Sequence, residues 1–207
     1  RTRRLAGGVP AMARAKNETR FFRWFRALPL FVLTVAFIAC ATLSATPTTF
    51  VAQTFYPVRY PDAINESAAR HGVDPMLVAA VAKCESGWNA DAQSGAGAVG
   101  VMQVMPSTAE ELAELGVVDG SAFDPAALDD PATNIEYGCA YLGVLQRELS
   151  DDDEVICAYN AGLAAVQGWL ESGGSVADNV PFSETKYYLE RVKQAYEGYK
   201  RSYPDGF

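Results

Sequence analysis

Histidine is almost missing from this chain: its 207 residues contain one, His71. With a single imidazole and no Cys/His spacing that resembles a metal cage, most zinc-site chemistry is excluded, and neither a metal nor a cofactor is expected. Positive charge is scarce over most of the length. Beyond residue 26 the sequence holds nine Lys or Arg against 24 acids, close to −15, which makes nucleic acid a poor partner. Period-two alternation of apolar residues is nearly absent, which argues against a sheet-based core. Charge of either sign disappears altogether between Ala27 and Val58.

What is present in that uncharged window is apolar. ALPLFVLTVAFIACATLSA, residues 27–45, is long enough as a helix to span a hydrocarbon core of about 30 Å. Residues 1–26 carry eight Lys or Arg and a single acid, Glu18, so the positive-inside rule places this tail in the cytoplasm and the rest outside. Ala39 and Ala41 also form an A-x-A pattern, so a cleaved signal that would leave a secreted protein competes with an uncleaved anchor. The anchor is favoured because the apolar run continues past 41. Met12 opens a stretch, MARAKNETRFFRWFR, that reads as a natural start, and residues 1–11 are expected to lie outside the native protein. Residues 46–61, rich in Pro and Thr, read as a stalk.

Residues 62–203 then give a series of helical signals. DAINESAARHG (62–72) ends on a Gly stop. DPMLVAAVAKCES (74–86) opens with Asp74 as N-cap and Pro75 in the first turn. PSTAEELAELG (106–116) has a Pro, a Ser/Thr cap and a terminal Gly. DPATNIEYGCAYLGVLQREL (130–149) and DDEVICAYNAG (152–162) form a helix hairpin, and LAAVQGWLES and SETKYYLERVKQAYEGYKRSY complete the chain. The expected fold class is all-α. Cys84, Cys139 and Cys157 lie in these helices. Export would permit one disulfide, whose pairing the spacing does not decide.

The segment at 75–86 is almost wholly apolar and must run through the core, yet it ends on Glu85. Burial and the negative end of the helix dipole both disfavour a carboxylate there and raise its pKa. A carboxylic acid that stays protonated near neutral pH is what glycosidic cleavage asks of a general acid. The competing reading is a glutamate pointing into solvent at a helix end.

Four motifs follow one another in order: ES at 85–86, GVMQVMP at 100–106, AYNAG at 158–162 and PFSETKYYLERV at 181–192. ADAQSGAGAVG (90–100) lies between the first two, and DPATNIEYGCAYL (130–142) supplies a linking helix. Together they resemble the lytic transglycosylase family with a goose-type lysozyme-like domain, over residues 60–200. The resemblance implies a lysozyme-like fold with Glu85 as the single catalytic acid/base. It also implies that Ser94, Gln103, Met105, Tyr159, Asn160, Glu184 and Tyr188 line the sugar cleft. Val101 stands where Leu is usual and Lys186 where Arg is usual; neither change removes a catalytic group.

The reaction so implied is cleavage of the β-1,4 bond between N-acetylmuramic acid and N-acetylglucosamine, leaving a 1,6-anhydro end. Most glycosidases use two carboxylates, and here only Glu85 stands in a convincing position. Hydrolysis by a muramidase on the same fold, and an inactive glycan-binding domain, are the alternatives. The expected partners are peptidoglycan strands and, through the N-terminal helix, the membrane, with the domain on the wall side. Taken from the residues alone, Gln103 also reads as a buried amide, Met105 as core filler, and Tyr159 with Asn160 as a helix-end cap. Glu184 also reads as a first-turn acid favoured by the helix dipole. Trp88 and Trp169 are read either as sugar platforms or as core.

Overall fold

Proline and aspartate set the starts of most helices. A computed structural model describes residues 28–41 and 54–207, except 172, 174 and 182. In it, α1 (Pro61–His71), α2 (Pro75–Glu85), α3 (Pro106–Glu114) and α4 (Pro131–Glu148) each begin with a proline. Proline is tolerated there because its missing N–H is one the first turn leaves unpaired anyway. Asp74 accepts a hydrogen bond from Met76 N at 2.8 Å, as the sequence predicts for the N-cap of α2. Asp130 and Asp151 cap α4 and α5 (Asp152–Ala161) in the same way. Gly72 closes α1 at φ 71°, a left-handed value that glycine adopts without strain. Two short helices follow, α6 (Leu163–Leu170) and α7 (Val176–Asn179), and then the long α8 (Ser183–Ser202).

The core forms around α2. Every residue from Met76 to Ala82 is buried, with α8 packed along it, while α1 packs on α4. Ile64, Leu77, Val78, Tyr137, Leu142, Ile156 and Leu189 are all fully enclosed. Among the described residues there is no extended strand. Isolated antiparallel bridges join Gln93 to Val99 and Val99 to Val104 within the long loop after α2.

That loop is fastened to α4 by one buried side chain, Asn134. Its amide donates to Val99 O (2.8 Å) and Leu128 O (2.9 Å), and its Oδ1 accepts from Met102 N at 2.7 Å. Gly100 passes so close that an added Cβ would stand 2.3 Å from Asn134 Nδ2, and its φ is +80°. Both constraints require glycine here.

A second buried polar group joins α1 to α4. The Glu136 carboxylate accepts from Ser67 Oγ (2.6 Å) and Arg70 Nη2 (2.7 Å) and meets His71 Nε2 at 2.8 Å. Burial works against ionisation, but these three partners hold its pKa down at about 2.

One detail departs from the sequence reading, and others fix what it left open. The cap of α3 falls on Met105, with no side-chain bond, because Pro106 takes the first helical position and places Ser107 and Thr108 inside the turn. Trp88 is core: it is buried and donates to Tyr199 Oη at 3.2 Å. Helix α7 has no apolar periodicity long enough to announce it. Cys84, Cys139 and Cys157 carry no disulfide.

Residues 54–60 lie against the helical unit. Tyr203 Oη donates to Tyr56 O and Tyr199 Oη to Pro57 O, both at 2.8 Å, and Lys83 Nζ donates to Phe55 O at 2.6 Å. The ring of Tyr56 occupies the space that a side chain at Gly198 would need.

The basic tail 1–26, residues 27 and 42–45 of the apolar run, and residues 46–53 of the stalk lie outside the described residues. Residues 28–41 form a helix with exposed side chains, a unit separate from the domain. At about 1.5 Å per residue it reaches roughly 21 Å. No helix among the described residues is long and apolar enough to cross a membrane.

Candidate active site

Glu85 is the last residue of α2 and is half-buried. The Tyr188 hydroxyl, from the buried face of α8, donates to Glu85 Oε1 at 2.6 Å. Burial pushes the carboxyl above its ordinary pKa, against the pull of the Tyr188 hydrogen bond and of the Arg191 guanidinium. Among the described residues no other carboxylate shifts it. In turn, burial and the nearby Glu85 charge hold the Tyr188 phenol far above its usual range. The same two causes raise Tyr159.

Tyr159, near the end of α5, donates to Met102 O at 2.9 Å. The bond ties the AYNAG segment to the loop that Asn134 holds from the other side. Asn160 Oδ1 accepts from Thr185 Oγ1 at 3.1 Å, which links α5 to α8. Gln103 adopts φ 51°, and its amide donates to Gly100 O (3.0 Å) and Ala92 O (3.1 Å). Ser86 Oγ donates to Val101 O at 2.7 Å and ties the residue after Glu85 to the loop.

Two cavities meet at Asn160. One, of about 250 Å³, is lined by Gln103, Met105, Tyr141, Tyr159 and Asn160 among others. The other, of about 520 Å³, is lined by Asn160, Ala161, Pro181, Ser183, Glu184 and Thr185. Five of the eight expected site residues therefore line these two adjoining cavities, while Glu85 and Tyr188 line neither and are bonded to each other. Ser94 is not among the lining residues. It is exposed, and its Oγ accepts from Ala98 N at 2.9 Å, which folds the glycine-rich loop.

Arg191 escaped the sequence reading. Its Nη2 donates to Cys84 O at 3.2 Å, so it grips the chain one residue before Glu85. Its place one helical turn beyond Tyr188 was the available signal. Asn134 left no such trace, because its partners lie 6, 32 and 35 residues away. Among the described residues no group of three or more His, Cys, Asp or Glu side chains could hold a metal ion.

Residues 62–181 match the family model described as the transglycosylase SLT domain, more than half of the chain. The chain belongs to the SLT transglycosylase family. It is 33% identical over 153 residues to the soluble lytic murein transglycosylase of Escherichia coli (strain K12), covering 70% of this chain and 23% of that protein. It is 30% identical over 171 residues to a membrane-bound lytic murein transglycosylase C of Mannheimia succiniciproducens, covering 70% and 47%. This SLT domain thus spans about a quarter to a half of the length of these relatives.

Its fold matches the crystal structure of the 70 kDa soluble lytic transglycosylase of Escherichia coli with a TM-score of 0.68 at 29% identity, over 74% of this chain and 26% of that one. An inactive glutamate-to-glutamine mutant of a Pseudomonas aeruginosa lytic transglycosylase matches equally well, at 26% identity over 75% and 26%. The mainly helical, lysozyme-like fold expected from the motifs is thereby shown.

Proposed function

We propose that this protein is a peptidoglycan lytic transglycosylase in which Glu85 is both general acid and general base. The observation that carries the reading is the pairing of a half-buried carboxyl of raised pKa with one phenolic donor, near enough to Tyr159 of the cavity wall for its charge to be felt there, with no second carboxylate acting on it among the described residues. In the Pseudomonas aeruginosa relative, exchange of one glutamate for glutamine gives a protein described as inactive. That is the loss expected of Glu85 here.

The chemistry follows from the proton inventory. Protonated Glu85 gives its proton to the glycosidic oxygen as the bond to C1 of N-acetylmuramic acid breaks. The sugar's own 2-acetamido oxygen supports the developing charge at C1. The resulting carboxylate keeps the Tyr188 hydrogen bond on Oε1, and Oε2 remains for the next proton. It removes that proton from the 6-hydroxyl of the same sugar, whose oxygen closes on C1. The second step is intramolecular and has the corresponding proximity advantage. No water is consumed, and Glu85 ends protonated as it began.

Asn160, its carbonyl held by Thr185, offers its amide N–H groups to the acetamido oxygen. Gln103, Met105, Tyr159 and Glu184 line the path of the strand, and Ser94 shapes the loop beside it. The domain works on the wall side of the membrane, carried by a single N-terminal helix. The basic segment before the apolar run and the membrane-bound relatives support this placement.

Digestion of purified peptidoglycan in heavy-oxygen water tests the reaction type. Transglycosylation leaves every new end unlabelled. One heavy oxygen on each new reducing end would make the enzyme a hydrolase.

A further inference from the structure

A third cavity, of about 270 Å³, adjoins the C-terminal end of α2 and shares no lining residue with the two above. It is lined by Tyr56, Lys83, Cys84, Arg191, Gln194 and Ala195. Two of these six are cations, in a region where acids outnumber bases by 24 to nine. Arg70, Lys193 and Lys200 each face an acid. Lys83 and Arg191, like Arg59, Arg147, Lys186 and Arg201, form no salt bridge among the described residues, but these two share a cavity. Their bonds go to the neutral carbonyls of Phe55 and Cys84.

The Lys83 ammonium also sits 4.1 Å from the centre of the Tyr56 ring, so one of its sides is closed to water. Burial lowers its proton affinity, and the Cys84 thiol beside it is held neutral for the same reason. Carbonyl and ring contacts orient the two cations without neutralising them, so an incoming anion would meet both charges, sharing that of Arg191 with the Glu85 carboxyl.

The position narrows the anion. Cys84 precedes Glu85, and the Arg191 charge is felt at the Glu85 carboxyl. In peptidoglycan the peptide stem hangs from the lactyl group on C3 of the sugar whose C1 bond is cleaved, and stems carry free carboxylates. We infer that the cavity between Lys83 and Arg191 is a subsite for a stem-peptide carboxylate. This inference rests on the function proposed above.

Two measurements on the full chain test it: calorimetric titration with a sugar-free stem tetrapeptide, and turnover of stem-bearing glycan against glycan stripped of stems by an amidase. The peptide should bind, more weakly as salt is raised. Lys83→Met should weaken it about fivefold, and Gln194→Lys, which adds a cation at the rim, should tighten it by a similar factor. Lys83→Met should raise KM on stem-bearing glycan alone and leave stripped glycan unaffected.

Absence of peptide binding, binding that neither variant alters, or equal losses on both glycans would overturn the subsite. Inorganic phosphate binding in place of the peptide would overturn it too, by pointing to a phosphate-bearing wall polymer. If neither glycan is cut but Lys83-dependent peptide binding persists, the catalytic reading fails and the subsite stands.

Discussion

Replacing Tyr188 with Phe removes one oxygen and leaves the ring in the core. That oxygen donates to Glu85 Oε1 at 2.6 Å. Hydrogen bonding to the charged form favours it, so the bond lowers a pKa that burial has already raised. A hydrogen bond to a charged group contributes about 1.5–3 kcal/mol. Part of it survives when the protonated acid donates back to the phenol oxygen. A net difference near 1.4 kcal/mol corresponds to about one pKa unit.

Glu85 must be protonated to begin the reaction, so activity fails as pH rises through its pKa. With the bond gone that pKa rises further, and the alkaline limb of kcat/KM should move up by about one unit. Muropeptide release measured across pH gives the limb directly. Tyr159→Phe is the control. Its hydroxyl donates to Met102 O, and its loss should leave the limb in place whatever it does to the rate. An unmoved or lowered limb in Tyr188→Phe would refute the reasoning.

Other consequences can be read in the same way. The Glu136 pKa is lowered from 4.5 to about 2, so its contribution is complete above the unfolded value and is lost as pH falls through the folded one. With half-exposed Arg70 screened by water, the loss across that window is of order 2 kcal/mol. Glu136→Gln should remove this part of the acid dependence in denaturant unfolding, and an unchanged pH slope would contradict the role given to the cluster. Gly100→Ala forces a Cβ against Asn134 at a left-handed φ and should cost about 3 kcal/mol or more, seen as a large fall in Tm; an unchanged Tm would contradict it. Turnover on intact sacculi should rise as salt screens the acidic domain from anionic wall polymers, and a flat response across a wide salt range would count against that electrostatic reading.

The residues that were legible in the sequence are those whose structure is local. Asp74 and Pro75 start α2, Gly72 ends α1, and the apolar run from Met76 to Ala82 is buried as a core helix must be. Glu85 stood out because it ends that run. What was not legible depends on distant partners. Trp88 is fixed in the core by Tyr199, 111 residues on. Asn134 holds a loop more than thirty residues before it. Tyr56, in a segment that composition marks as stalk, fits against Gly198 because that position lacks a side chain. Ser94 sits in a motif of the right order, and its hydroxyl accepts a bond from its own loop, which spacing does not announce.

The central claim is that one carboxyl, Glu85, performs both proton transfers without water. The most direct measurement is the mass spectrum of the muropeptides released from purified peptidoglycan by the full chain, beside its Glu85→Gln variant. The account predicts products lighter by one water than hydrolytic muropeptides, and none from a variant that still folds and binds glycan. Hydrated products, or anhydro products that persist with Glu85→Gln, would contradict it.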